Sequence, residues 1–198
     1  MNTLKAEKRD MSIKAKKLRR EGFVTGNLFG RELEDSIPLK FDKAEIEKLL
    51  KVENKGGQVM LEVAGETYDA LIKEVDYNPL KGYVDEIDFQ ALVSNEKVHS
   101  VAEIVLVNHD KLEAGVLQQH LEEISFRALP SALVDKVMVD VGDMKVGDVI
   151  KVKDLAIAQD KDVDLKTDLE AAVVSVAAVH VDPALEAEEE AAAEEEAK

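Results

Sequence analysis

The densest set of groups able to do chemistry lies near the start of the chain. Lys14-x-Lys16-Lys17-x-Arg19-Arg20, with Arg9 before it and Arg31 after it, gathers long cationic side chains on one short segment. Phosphates are recognised by such donors: an ammonium supplies a point charge, and a guanidinium a planar fork that grips two oxygens at once. Basic runs also serve other polyanions, so these residues predict a polyanion surface, with RNA phosphates the leading candidate, set against the alternative of an ordinary solvated helix face. Gly22, Gly26 and Gly30 follow the run and are expected to let backbone come close to RNA. Phe29 and Tyr77 are candidate stacking platforms for bases, set against the alternative that each is a partly buried core residue.

A second cluster is acidic: Asp76, Asp85, Glu86 and Asp88. Close carboxylates can hold Mg²⁺ or Ca²⁺, or work as a general acid and base, which makes a metal-dependent hydrolase one rival reading. Strand periodicity would send Glu86 and Asp88 to one face and Asp85 to the other. No glycine-bearing calcium loop surrounds them, so no metal site is expected. A carboxylate here could instead accept a hydrogen bond from a base amino group. His99, His109, His120 and His180 have no metal-ligand spacing, no serine sits in a nucleophile elbow, and phosphate-loop and dinucleotide fingerprints are missing. The expectation is therefore no catalytic residue, no cofactor and no small-molecule substrate.

The chain has 198 residues and a formal net charge of −16, unevenly spread. Residues 1–31 carry nine Lys/Arg and three Asp/Glu, a balance of +6; residues 183–198 carry seven Glu and one Lys, a balance of −6. The middle holds the remaining sixteen basic and thirty-two acidic residues. Such asymmetry suggests a basic end that meets a polyanion and an acidic remainder that stays solvated or meets a basic partner. An acidic protein-interaction or stress-response module is thus the second rival reading. The chain has no cysteine, which excludes disulfides and thiolate metal sites and suits a reducing cytosol. No apolar run is long enough to span a membrane, and the basic N-terminus lacks the apolar stretch of a secretory signal.

The elements that must hold these groups follow from periodicity. Residues 3–9 predict a strand. Met11, Ala15 and Leu18 recur at helical spacing before Gly22, which predicts one short helix or a loop turning into a helix. Phe23 to Phe29 and Ile37 to Phe41 predict extended segments, and Asp42 caps a helix with Glu45 completing a capping box. Val59, Leu61 and Val63, a turn at Gly65, then Tyr68, Ala70 and Ile72 predict a hairpin; Asn78-Pro79 breaks the chain before a strand from Tyr83 to Leu92. After a linker at Ser94-Asn95 the predicted strands are Val98–Val107, Ile124–Leu129, Val137–Val141, Val149–Val152 and Ala172–Val179, with a short helix over Val116–His120. Turns are expected at Pro130, Gly142-Asp143 and Gly147-Asp148. The expected fold is mainly β with a few helices (α+β). It comprises a small β-barrel over 1–93, a β-rich domain over 94–182, and an acidic tail over 183–198 that is disordered or a fraying helix.

Three stretches, in order, resemble a known family. Lys16-Lys17-Leu18-Arg19-Arg20-Glu21-Gly22-Phe23-Val24 with Leu28-Phe29-Gly30 looks like its "basic-basic-Leu-Arg-Arg-x-Gly-x-Val-Pro … Tyr-Gly" segment. Ile72 to Gly82 with Ile87-Asp88-Phe89 looks like its "Lys-x-Val-Gln-x-His-Pro-x-Lys-Gly … His-x-Asp-Phe" signature. Gly115 to Gln118, Leu129-Pro130, Val139 to Val141 and Gly147-Asp148 resemble the extra domain of its long form. The family is bacterial large-subunit ribosomal protein number twenty-five, in its long general-stress (CTC) form. The resemblance implies a non-enzymatic, cytoplasmic, ribosome-associated protein with an N-terminal barrel that binds the loop E region of 5S rRNA. It makes Arg9, Lys14, Lys16, Lys17, Arg19 and Arg20 RNA contacts, and Asp88 the acidic residue that meets RNA on the barrel strand. Phe29, Arg31, Asp76, Asn78 and Glu86 complete the expected site. The chain departs from the family pattern at Thr25 (Pro), Phe29 (Tyr), Asp76 (Gln), Asn78 (His) and Glu86 (His), which divides the site into a basic half and an acidic half.

Overall fold

The computed structural model describes residues 2–111 and 115–178. In the first half, alternating apolar residues build six strands and two short helices. They are β1 (Asn2–Lys8), α1 (Ala15–Arg20), β2 (Phe23–Phe29), β3 (Ile37–Asp42), α2 (Lys43–Leu49), β4 (Gln58–Val63), β5 (Glu66–Asn78) and β6 (Tyr83–Ala91). The strands close into a barrel in the order β1-β3-β2-β6-β5-β4. Two of its pairings are parallel, β1 with β4 and β2 with β6. Closure removes every free sheet edge from this half.

Inward residues of each strand fill the barrel, among them Leu4, Leu28, Leu39, Leu61, Ile72 and Ile87. Phe41 and Phe89 meet in the middle with ring centroids 5.3 Å apart at 50°. α2 adds Ile46 and Leu49 to this core. Its cap is Asp42, whose side chain accepts from Ala44 N at 2.8 Å. Among the described residues Glu45 makes no return bond to Asp42 N, so the expected capping box is only half built; the next backbone donor, Lys43 N, bonds Gly22 O. Across Met11, Ala15 and Leu18, expected as one short helix or a loop turning into a helix, a loop leads into the helix. It starts at Ala15, leaves Met11 68% exposed, and buries Leu18 alone.

β5 and β6 are not regular partners. Asp76 faces Glu86 and Tyr77 faces Val84, so the register slips and Asp85 is left as a bulge. A second slip lies between Ile72 and Glu74.

The second half contains β7 (Val98–Val107), β8 (Val116–Gln119), β9 (Glu123–Ala128), β10 (Lys136–Asp140), β11 (Val149–Lys151), β12 (Val163–Leu165) and β13 (Ala172–Ala177). They form one sheet in the order β10-β7-β9-β12 and another in the order β11-β13-β8. Both contribute to one core that includes Ile104, Ile124, Phe126, Val139, Val152 and Val174. The helix expected at 116–120 is a strand. Val116 to Gln119 pair antiparallel with Ala177 to Val174, and that ladder satisfies backbone groups that a single helical turn would leave unpaired. The strand expected to reach Val152 ends at Lys151, where a 3₁₀ turn over Val152–Asp154 begins. β12 was not expected. The end of the strand expected over 172–179, and the acidic tail expected over 183–198, lie outside the described residues.

The two halves meet where the loop after α2 lies along β7. Gly56 sits there at φ +88°, and a Cβ on it would be 1.9 Å from Val101 O, so only glycine allows this approach. Asn54 Nδ2 donates to Glu103 at 2.6 Å, and Lys73 Nζ donates to His99 O at 2.8 Å. Burial and the nearby Lys55 charge both push the Lys73 amine below its usual range.

Candidate nucleic-acid interface

β2, β6 and β5 lie side by side, and their register sets rows of outward residues: Thr25 beside Glu86 beside Asp76, and Asn27 beside Asp88 beside Glu74. α1 joins this surface through Leu18, its one buried side chain, and through Arg19. Arg19 Nε donates to Asp85 O at 2.9 Å, while Nη2 reaches Glu86 Oε2 at 3.2 Å and Thr25 Oγ1 at 3.3 Å. Asp85 Oδ1 is 3.8 Å from Arg19 Nε. The bulge is what brings Asp85 to the same guanidinium as Glu86, against the simple alternation that would have turned them to opposite faces. Asn78 extends the network by donating to Asp85 Oδ2 at 3.1 Å. Asn78 also shapes the β5–β6 turn, its backbone carbonyl accepting from Gly82 N at 2.9 Å.

The remaining cations divide by role. Lys14, Lys16 and Arg20 are exposed and, among the described residues, have no carboxylate within 4.0 Å. Lys17 has only an i,i+4 pair with Glu21 at 3.8 Å. Arg9 is half-buried: its Nη2 donates to Ile13 O at 3.4 Å, its backbone N to Pro38 O at 2.8 Å, and its Nε is buried without a partner. It therefore ties down the loop that leads into α1. In that loop the Ser12 hydroxyl, and after it Ser12 N at 2.8 Å, hold the Asp10 carboxyl below the usual range. Arg31 turns instead towards Glu96, 3.5 Å away on the connection to the second half.

On the strand side, Asp88 Oδ1 accepts from both Asn27 N (2.9 Å) and Asn27 Nδ2 (3.1 Å), locking β6 to β2. Asp76 is exposed, and Phe29 projects from the end of β2 at 36% exposure. The glycines do something other than expected. A Cβ at Gly26 would lie 1.9 Å from Ile87 O, and one at Gly30 2.8 Å from Ala91 Cβ, so both serve the contact of β2 with β6; Gly22 ends α1 at φ +92°. Asp85, named in the acidic cluster, enters the site through the bulge, and Thr25, named as a departure from the family pattern, enters beneath Arg19. Asn27 and Glu74 enter without having been singled out; Glu74 carried a signal, lying two residues from Asp76 on the same strand face. Among the described residues no three His, Cys, Asp or Glu side chains are grouped to hold a metal ion.

The arrangement offers a short helix of solvated cations, anchored by one buried-side arginine, beside a strand face rich in hydrogen-bond acceptors. The cations suit phosphates; acceptors in fixed rows suit base amino groups.

Comparison with known proteins gives two family matches in sequence order. Residues 4–89 match the Ribosomal L25p family, and residues 97–180 match the C-terminal domain of ribosomal protein TL5. Large ribosomal subunit protein bL25 of Thermoanaerobacter sp. (strain X514) is 30% identical over 179 residues, covering 89% of this chain and 88% of the relative. The protein of the same name from Geobacillus thermodenitrificans is 34% identical over 142 residues, covering 71% and 67%. That from Caldanaerobacter subterraneus is 29% identical over 177 residues, covering 88% of each.

Proposed function

The chain belongs to the Ribosomal L25p family, and from that premise we propose that it binds 5S rRNA, in the loop E region, through α1 and the outer face of β2, β6 and β5. As a member of this family it is a structural component of the large ribosomal subunit rather than an enzyme, and it works in the bacterial cytoplasm. We divide it into an RNA-binding barrel (1–93), a β-rich second domain (94–182) and an acidic tail (183–198).

The observation that carries this reading is the anchoring of Arg19 to Asp85 and Glu86. It joins the basic helix and the acceptor-rich strands into one surface. Lys14, Lys16, Lys17 and Arg20 neutralise phosphates, with Arg9 and Arg31 at the two ends of the segment. Asp76, Asn78, Glu86 and Asp88 set the register against the bases, and Phe29 supplies an apolar face for stacking. Neutralising about five phosphates predicts that log affinity falls with log salt at a slope of roughly −3.5 to −4.5. The test is a titration of a loop E fragment of 5S rRNA against an unrelated hairpin of equal length. Tighter binding of the 5S fragment is expected, and equal binding of the two would sink the proposal.

A further inference from the structure

We infer that the cleft between the barrel and the second half is a docking groove for an extended basic segment of a protein partner, one bearing arginine or lysine. The cleft is open to solvent, holds about 910 Å³ and is lined by the end of α2 and the loop after it, the β5–β6 hairpin, β7 and the segment from β8 into β9. Its apolar lining includes Leu50, Val75, Val84, Val101 and Ile104. Tyr77 lines it while remaining 60% exposed, so one aromatic surface is left without a cover.

Charge selects the class of occupant. Glu47, Glu103, Glu122 and Glu123 line the groove against Lys51 and Lys55. Lys55 already faces Glu123 at 3.6 Å, Lys43 faces Glu47 at 3.6 Å and Asn54 bonds Glu103, which leaves Glu122 as the exposed wall carboxylate with no cation within 4.0 Å among the described residues. Residues 97–178 as a whole carry nine Lys/Arg and fifteen Asp/Glu, a balance of −6. A polyanion is repelled from such walls, and a cationic side chain is drawn in. The protein itself displays the geometry on offer: Lys43 Nζ stands 4.2 Å from the centroid of Tyr83, which also lines the cleft. The groove is preformed, because Gly56 against Val101 and Asn54 against Glu103 fix its walls. No residue of α1 lines it, so an occupant does not compete for the α1 cations.

The test uses the full chain and a fluorescein-labelled short peptide of alternating arginine and valine, with the glutamate–valine peptide as control. Fluorescence anisotropy at low salt is expected to show binding of the first peptide only. Glu122→Lys should weaken it about tenfold and Tyr77→Ala about threefold to tenfold. Both side chains are exposed, so the variants should melt like the parent chain. Unchanged affinity in both variants means that the peptide sits elsewhere, for instance on the glutamates of 183–198, and overturns the inference. If Tyr77→Ala instead weakens the 5S fragment and spares the peptide, the groove is a nucleic-acid surface and the inference also falls.

Discussion

Arg19 and Arg20 are neighbours in sequence with opposite expected behaviour. Arg19 holds Asp85 O, Thr25 Oγ1 and Glu86, with its side chain 26% exposed and that of Glu86 33% exposed. Truncating it to alanine removes these bonds. It also leaves Asp85 and Glu86 facing Asp76 without a cation. A hydrogen bond to a charged group contributes about 1.5–3 kcal/mol, and partial exposure trims the ion-pair share. Arg19→Ala should therefore cost about 2 kcal/mol, equivalent to a drop in Tm of roughly 8–16 °C for a barrel of this size. Among the described residues Arg20 has no such partners, and Arg20→Ala should stay within about 0.5 kcal/mol while reducing the salt slope of RNA binding by about 0.7–0.9. The assay is built into the chain. It has three tyrosines and no tryptophan, and Tyr68, Tyr77 and Tyr83 all lie on β5 or β6, so tyrosine fluorescence reports barrel unfolding. Equal melting temperatures for the two variants would refute the idea that Arg19 anchors the helix.

Leu18→Ala should cost about 2–4 kcal/mol by emptying the only buried position of α1, with RNA affinity falling in parallel as the cations lose their support. Gly26→Ala should prevent normal barrel closure, visible as lost protection from hydrogen exchange in β2 and β6, because its Cβ would lie 1.9 Å from Ile87 O. Glu86→Gln keeps an oxygen that can accept from Arg19 and removes one negative charge from the surface, so it should raise affinity for the 5S fragment by roughly threefold at low salt by easing repulsion, an advantage that salt should erase. Lys151 and Lys153 both bond Glu170 and hold its carboxyl down at about 2. A depressed carboxylate stabilises the fold above its unfolded value of about 4.5, and that contribution is lost as pH falls from there through about 2. An NMR titration should find its midpoint in that low range and see it return towards 4.5 in the Lys151→Ala, Lys153→Ala double variant.

The barrel was legible because its strands alternate cleanly: Val59, Leu61 and Val63 need no tertiary knowledge to be read as one face. The basic half of the site was legible because α1 carries its cations in one run. Other features depended on partners far away in sequence. Val116 to Gln119 has neither strand nor helix periodicity, and only β13 makes it a strand. The bulge at Asp85 arises from the slip against Asp76 and Tyr77, and no local pattern announces it. Gly26 and Gly30 looked available for RNA because their neighbours were cationic; the spatial neighbour that constrains them is β6, some sixty residues on.

The parallel pairing of β2 with β6 also imposes an order of events on the growing chain. Thr25 meets Glu86 and Asn27 meets Asp88 only after the intervening sixty residues have been made and looped back. Pairings between such distant segments form late, since the loop must close before any contact rewards it. Until β6 arrives, Arg19 has neither Asp85 nor Glu86, and Gly26 has no strand to lie against. The basic segment emerges first but gains its fixed geometry last. Shape-selective RNA binding should therefore switch on in nascent chains only once they extend past residue 91, with shorter chains behaving as loose polycations.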